Sequence, residues 1–260
     1  VRDTMRLVLI LLVLVVSLPV WAGAESPVSA GPIQERVMVV WGAGRTRDEA
    51  ESLVESYQAR SVDWARVLEA GSAYPRVIDG AEVPGLRPGA FFVALGVCEV
   101  KEGEVMAKVF SALEPGVSSR RVLWDEGEPL ACPELLPGWS FGKSARMRAP
   151  GGTLTAVTFD HMEEGGGARR SWVLVLALLK KEDVESTVIE PPEDDAASEV
   201  KGLRVGRGEL VLEEELTAPT CDTRTWRFSV ERGAVVTKQA KKPSKRRDCA
   251  AEQEGASADG

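Results

Sequence analysis

Histidine is nearly missing from this sequence: His161 is the only one in 260 residues. The four cysteines, Cys98, Cys132, Cys221 and Cys249, include no Cys-x-x-Cys pair. That leaves too few ligands, too far apart, for a self-contained zinc site, and no metal or other cofactor is implied. Positive charge is also short. With 32 basic against 40 acidic residues the formal net charge is −8, so the field of the whole protein does not favour nucleic acid or anionic lipid as a partner. What is present, 44% apolar and 28% charged residues, is the balance of a globular chain of one or two domains.

Arg2 and Arg6 precede an apolar run over 7–16, followed by Ser17, Leu18, Pro19 and the small residues Ala22, Gly23 and Ala24. This is the charged, apolar and small-residue order of a secretory signal peptide over 1–24. A membrane span needs roughly 20 apolar residues, so an uncleaved N-terminal anchor is the lesser alternative and no stable span is expected after cleavage. Removal of 1–24 leaves 30 basic and 39 acidic residues, a net of −9. An exported, periplasmic or secreted chain with an even number of cysteines favours disulfides. Three pairings are open. The sequential one, Cys98 with Cys132 and Cys221 with Cys249, keeps each bridge within one unit.

Residues 25–35 read as a linker. Val37, Val39, Val40 and Trp41 form a strand ending at Gly42-Ala43-Gly44. Thr46 with Glu49 is a capping box, and the helix it starts keeps Ala50, Leu53, Val54 and Tyr57 on one face and continues toward Gly71. A short extended piece over 76–78, a strand over 90–98, a helix over 102–114 with Val105, Met106, Val109 and Leu113 on one face, and a strand over 119–124 complete a unit over 36–130. Ala50 and Val54 match Val105 and Val109 at an offset of 55, which suggests a duplicated strand-helix unit. Two such halves make a ferredoxin-like split βαβ layer with one sheet face left open. Residues 131–152 read as a connector, and the period then changes to two. Seven strand-like runs between 153 and 237 predict an antiparallel all-β domain over 153–249, a sandwich or an open barrel, with a disordered tail over 250–260. The fold class is therefore α+β.

Three motifs suggest chemistry. Gly138-Trp139-Ser140-Phe141-Gly142 matches the G-x-S-x-G nucleophile elbow, with Ser140 as the nucleophile of a serine hydrolase. The surroundings lack the strand before and the helix after that an elbow needs. Gly42-Ala43-Gly44 precedes a helix whose start, with Arg45 and Arg47, is suited to an anion; a tight turn explains the same glycines. His161, beside Asp160, fits a solvated turn better than a catalyst. An acid-only stretch over 182–199 and a base-only stretch over 238–247 read as solvated faces, the basic one able to touch anionic polymers. No catalytic residue is assigned, and the chain is expected not to be an enzyme.

The first unit resembles the sporulation-related repeat (SPOR) domain. The residues that carry the resemblance are Val37-Met38-Val39-Val40-Trp41-Gly42-Ala43, Arg47-Asp48-Glu49-Ala50-Glu51 and Phe91-Phe92-Val93-Ala94-Leu95-Gly96-Val97. The resemblance covers roughly 90 residues and implies the βαββαβ layer together with binding of bare peptidoglycan glycan strands on the open sheet face. Trp41 and Phe92 are then the candidate sugar-stacking residues, with Arg45 and Arg47 beside them. Family members usually carry a glutamine in the first strand, where this chain has Met38 and Val39. The expected function is a non-catalytic envelope protein that binds peptidoglycan, or alternatively one that contacts another envelope protein.

Overall fold

A computed structural model describes residues 32–162, 170–181, 183–191, 197–216 and 221–243. The expected leader, most of the expected linker, the expected tail and Cys249 lie outside the described residues. The first unit runs β1 (Ile33–Gly44), α1 (Arg47–Ser61), β2 (Leu68–Glu69), β3 (Arg76–Asp79), β4 (Phe91–Cys98), α2 (Val100–Leu113) and β5 (Ser118–Asp125). Then come β6 (Glu134–Leu135), β7 (Trp139–Ala149), β8 (Gly152–Met162), β9 (Arg170–Leu179), β10 (Val184–Ile189), β11 (Ser198–Val205), β12 (Leu210–Leu216), β13 (Thr223–Glu231) and β14 (Ala234–Lys242). The class is α+β, with antiparallel pairing throughout. Three four-stranded sheets have the orders β3-β4-β1-β5, β10-β9-β8-β7 and β11-β12-β13-β14, and β2 pairs with β6.

Several sequence expectations shift at their edges. Strand β1 begins at Ile33, inside the expected linker. Helix α1 stops at Ser61 and gives way to turns and β2 rather than running toward Gly71. The capping box forms with a twist: Thr46 Oγ1 accepts from the Glu49 amide, but the Glu49 carboxylate accepts from the backbone of Arg45, one residue before the cap. In α2 the buried face is Met106, Val109, Phe110 and Leu113, whereas Val105 is 56% exposed. The offset of 55 therefore pairs the fully buried Ala50 with a surface residue. Where the sequence suggested a connector, β7 occupies eleven residues, because a bulge between Phe141 and Ser144 interrupts the alternation that marks a strand.

The layers stack in a fixed order. Both helices lie on the first sheet, where Val39, Trp41, Val93 and Leu95 meet Tyr57, Trp64, Phe110 and Leu113. The same apolar cluster continues into Val157, Phe159, Val173 and Val175, so the second sheet covers the opposite side of the helices. Its other face, Leu154, Ala156, Trp172, Leu174, Leu176 and Leu178, packs on Leu210, Leu212, Trp226 and Phe228 of the third sheet. The run Trp172-Val-Leu-Val-Leu-Ala-Leu178 is continuous rather than alternating because a strand covered on both faces has no polar side. The junction between units is tied down at several points. Cys98 and Cys132 are at disulfide distance, S–S 2.03 Å, and Val97 and Ala131 exchange backbone hydrogen bonds of 3.1 and 3.2 Å.

Candidate functional site

Alternation in β1 leaves two candidate platforms on the first sheet, and both are filled. Trp41 points into the helix layer, its ring 5.2 Å from Tyr57 and 6.3 Å from Trp64, and is 5% exposed. Burial pushes the Tyr57 hydroxyl up to about 12, with the backbone of Ala70 pulling the other way and Glu69 adding slightly to the rise. Phe92 faces away from the helices with Met38, Val40, Ala94, Val97, Val122 and Trp124, yet this face is covered too. The β3–β4 connection, residues 80–90, folds back across it and seats Val83 and Leu86 on the sheet. Its neck is closed by Gly80 N–H donating to the Ala90 carbonyl at 2.9 Å, and its tip is tied to the far edge by Leu123 N–H donating to the Pro84 carbonyl at 2.9 Å. Gly85 has φ +100, and a Cβ there would lie 2.6 Å from the Arg121 carbonyl oxygen, so the tip can approach β5 only as glycine. The open face expected from the sequence is thus occupied by a strap, and neither Trp41 nor Phe92 offers a ring to a ligand.

The helix start is occupied in a similar way. Glu49 takes the Arg45 amide, and Asp48 and Glu49 place acidic charge in the first turn, where an anion would sit. The Arg47 guanidinium lies over the Phe91 ring at 5.6 Å. Gly44 is needed because a Cβ would meet Glu49 Cβ at 2.8 Å and the Ala50 amide nitrogen at 2.9 Å. The four proposed contact residues are not brought together: Arg45 and Arg47 are exposed, and the two aromatics are buried on opposite faces.

The G-x-S-x-G run has a different explanation from an elbow. Ser140 sits within β7 opposite Asp160, while Trp139 sits opposite His161. The Ser140 hydroxyl donates to the Asp160 backbone carbonyl at 3.2 Å and not to the imidazole, which packs on Trp139 with ring centroids 4.6 Å apart. Both glycines make room for side chains of β8. A Cβ on Gly138 would lie 2.8 Å from His161 Nε2; one on Gly142 would lie 2.6 Å from Thr158 Oγ1 and 2.7 Å from Asp160 Oδ2. At the bulge Thr158 Oγ1 accepts from the Lys143 amide at 2.7 Å and donates to its carbonyl at 3.3 Å. Ser140, Asp160, His161, Ser171, Ser198 and Glu199 line a pocket of about 210 Å³ where β7, β8, β9 and β11 meet. An open groove between α2 and β5 is lined by Glu104, Ala107, Lys108, Ser111 and Ser118 among others.

Behind the pocket is a polar cluster that reading for motifs missed. Glu214 is fully buried between the second and third sheets. Its carboxylate accepts from Trp172 Nε1 at 3.2 Å and from Trp226 Nε1 at 2.9 Å, with Arg224 Nη1 at 3.4 Å. Trp172 Nε1 also donates to Ser198 Oγ at 3.0 Å. Partners on several sides offset the cost of burying the charge. The signal was present in the sequence: Leu210, Leu212, Glu214 and Leu216 are in phase along a strand, so Glu214 occupies an inward position.

Of the expected disulfides, Cys98 with Cys132 is found, and none of the described cysteines is free. The Cys221 to Cys249 pairing involves a residue outside the described ones. Among the described residues no cluster of potential metal ligands occurs, and no helix is long and apolar enough to cross a membrane. In the basic stretch Lys238 pairs with Glu231 at 3.3 Å at exposed positions, and the exposed Lys241 pairs with the half-buried Asp222 at 3.2 Å. Compared with known proteins, the chain matches no family model, no curated protein and no solved structure.

Proposed function

We propose that this chain is a non-catalytic, exported protein of a bacterial envelope that works through contacts with other envelope proteins, its SPOR-like sheet serving as a structural layer. The observation that supports this most is the strap over 80–90, which fills the sheet face a glycan strand would need. A buried apolar face covered by its own chain supports internal packing rather than a sugar platform. The leader-like sequence over 1–24 and the Cys98–Cys132 pair support export to an oxidising compartment.

A second reading, peptidoglycan binding through the same sheet, is favoured by topology. Numbered within the first unit, the order β3-β4-β1-β5 is second-third-first-fourth with every neighbour antiparallel, an order that supports reading it as a ferredoxin-like split βαβ. That reading requires the strap to leave. Incubating the full chain with purified sacculi, before and after enzymatic removal of stem peptides, separates the two. Protein contact predicts no retention on either preparation and specific protein neighbours in cross-linked cells; retention on denuded glycan overturns it. A fluorophosphonate probe is expected to leave Ser140 unlabelled, consistent with a hydroxyl bonded to a carbonyl and not to His161.

A further inference from the structure

Strand β5 is an edge of the first sheet, and half of its outer side is free. Glu126 N–H donates to the Pro32 carbonyl at 3.2 Å, and the pairing with β1 continues from Asp125 to Ser118 without a shift of register. Residues that bond the neighbour alternate in an antiparallel ladder. Trp124, Val122, Arg120 and Ser118 therefore turn their backbone groups to β1, and Leu123, Arg121 and Ser119 turn theirs outward. The Leu123 N–H agrees with this phase, since it donates to the Pro84 carbonyl of the strap and not to β1. The strap reaches no further than the Arg121 carbonyl oxygen, 2.6 Å from where a Cβ on Gly85 would lie. Beyond it the Arg121 N–H and both backbone groups of Ser119 have no hydrogen-bond partner among the described residues.

This free stretch borders the groove between α2 and β5, which has a volume of about 450 Å³ and is lined by Ser119 itself. A free strand edge beside a helix is a geometry that takes up an extended peptide, held by main-chain hydrogen bonds and read through alternate side chains. Charge selects the peptide. Lys108 of α2 lines the groove on the helix side, and Arg120, in phase with Val122 and Trp124, belongs to the other side of the sheet. Both are exposed, and neither has a carboxylate partner among the described residues. Glu104, the carboxylate in the groove lining, is already held by Arg121 at 2.9 Å. Buried Ala107 and Val117 give the groove an apolar floor. A second copy of β5 paired across a two-fold axis would bring two Arg120 and two Arg121 side chains together, so self-pairing is disfavoured.

We propose that the free half of the β5 edge pairs with an extended acidic segment of a partner protein. The segment adds as a strand along Ser119 and Arg121 and sets one acidic side chain against Lys108 and the next against Arg120. The proposal rests on the protein-contact reading and names the surface used. The two fail separately: retention on denuded glycan overturns that reading, whereas peptide binding decides this one. The probe is acetyl-Thr-Val-Glu-Glu-Val-Thr-amide, whose adjacent glutamates fall on opposite sides of an extended chain. It is titrated into the full chain by fluorescence anisotropy and amide NMR. Saturable micromolar binding is expected, with the Ser119 and Arg121 amides shifted and slowed in exchange. Affinity should fall at least tenfold for Lys108→Glu and for Ser119→Pro, which removes an outward N–H while leaving the ladder to β1 intact. N-methylation of alternate peptide amides should abolish binding in one phase, since only every second amide faces β5. Lys242→Glu on the β14 edge should change nothing. Circular dichroism checks folding; should Ser119→Pro unfold, Lys108→Glu and the N-methylated peptides decide. Absence of saturable binding, no loss on N-methylation in either phase, equal affinity for the counterpart with two lysines, shifts confined to β14, or a dimer of the chain that protects the Ser119 amide overturns the proposal.

Discussion

The first and second sheets are both covered on two faces, but by different means. The second sheet lies between the helices and a whole third sheet, and the latter contact is locked by the carboxylate of Glu214 among two indoles and a guanidinium. The first sheet lies between the same helices and an eleven-residue strap held by backbone hydrogen bonds at its neck and tip, a glycine tip and a few apolar side chains. A covering sheet is held by strand pairing along its whole length, whereas a strap is held at its neck and tip. The strap side is therefore the face more readily uncovered, and it is the face on which the choice between structural layer and binding surface turns.

Substitutions should separate the two arrangements. Glu214→Ala leaves Arg224 and both indoles facing an unfilled position between the second and third sheets and is expected to cost about 3 to 5 kcal/mol in urea unfolding, the range for removing one partner of a buried ion pair. Glu214→Gln keeps an acceptor and should cost less. Removing the Cys98–Cys132 link by paired Ala substitutions frees a sequence separation of 34 residues and is expected to lower stability by about 2 to 4 kcal/mol, read from the denaturation midpoint with and without reductant. Gly85→Ala forces a side chain against the Arg121 carbonyl at a positive φ and should cost about 1 to 3 kcal/mol, with increased proteolysis confined to 80–90.

The smallest effect lies in the helix layer shared by both sheets and appears only at high pH. The Tyr57 hydroxyl titrates at about 12 in the folded chain against 10.0 for the ordinary phenol. The unfolded chain thus loses this proton first, so the contribution is present up to pH 10.0 and declines as pH rises toward about 12. Tyr57→Phe should flatten that part of the stability profile while leaving the profile at neutral pH nearly unchanged. Urea midpoints of the two proteins measured across the interval check the slope.

The alternating and helical periods made most elements legible in the sequence. The capping pair Thr46 and Glu49, the continuous run at 172–178 and the short strands after 153 all form where their patterns indicate. Strand β7 was hidden because its bulge at Gly142 and Lys143 shifts the alternation by one residue. The strap was hidden for another reason: Val83, Pro84, Gly85 and Leu86 have the composition of an ordinary turn, and only the three-dimensional path shows that the turn lies on its own sheet. Pocket and polar cluster were half legible. Ser140 and His161 stood out by type, but their relation depends on a register that pairs each with the other's neighbour. Glu214 was concealed by flanking Glu213 and Glu215, although the period of two singles it out.

The most direct test of the covered sheet is amide hydrogen exchange at Leu123, whose N–H reaches outward to the Pro84 carbonyl at the strap tip. The account predicts slow exchange at Leu123 in the native chain, and fast exchange there in Gly85→Ala while the amides of β4 stay protected. Fast exchange at Leu123 in the native chain would contradict it, because the strap would then not be seated and the face bearing Phe92 and Trp124 would be open.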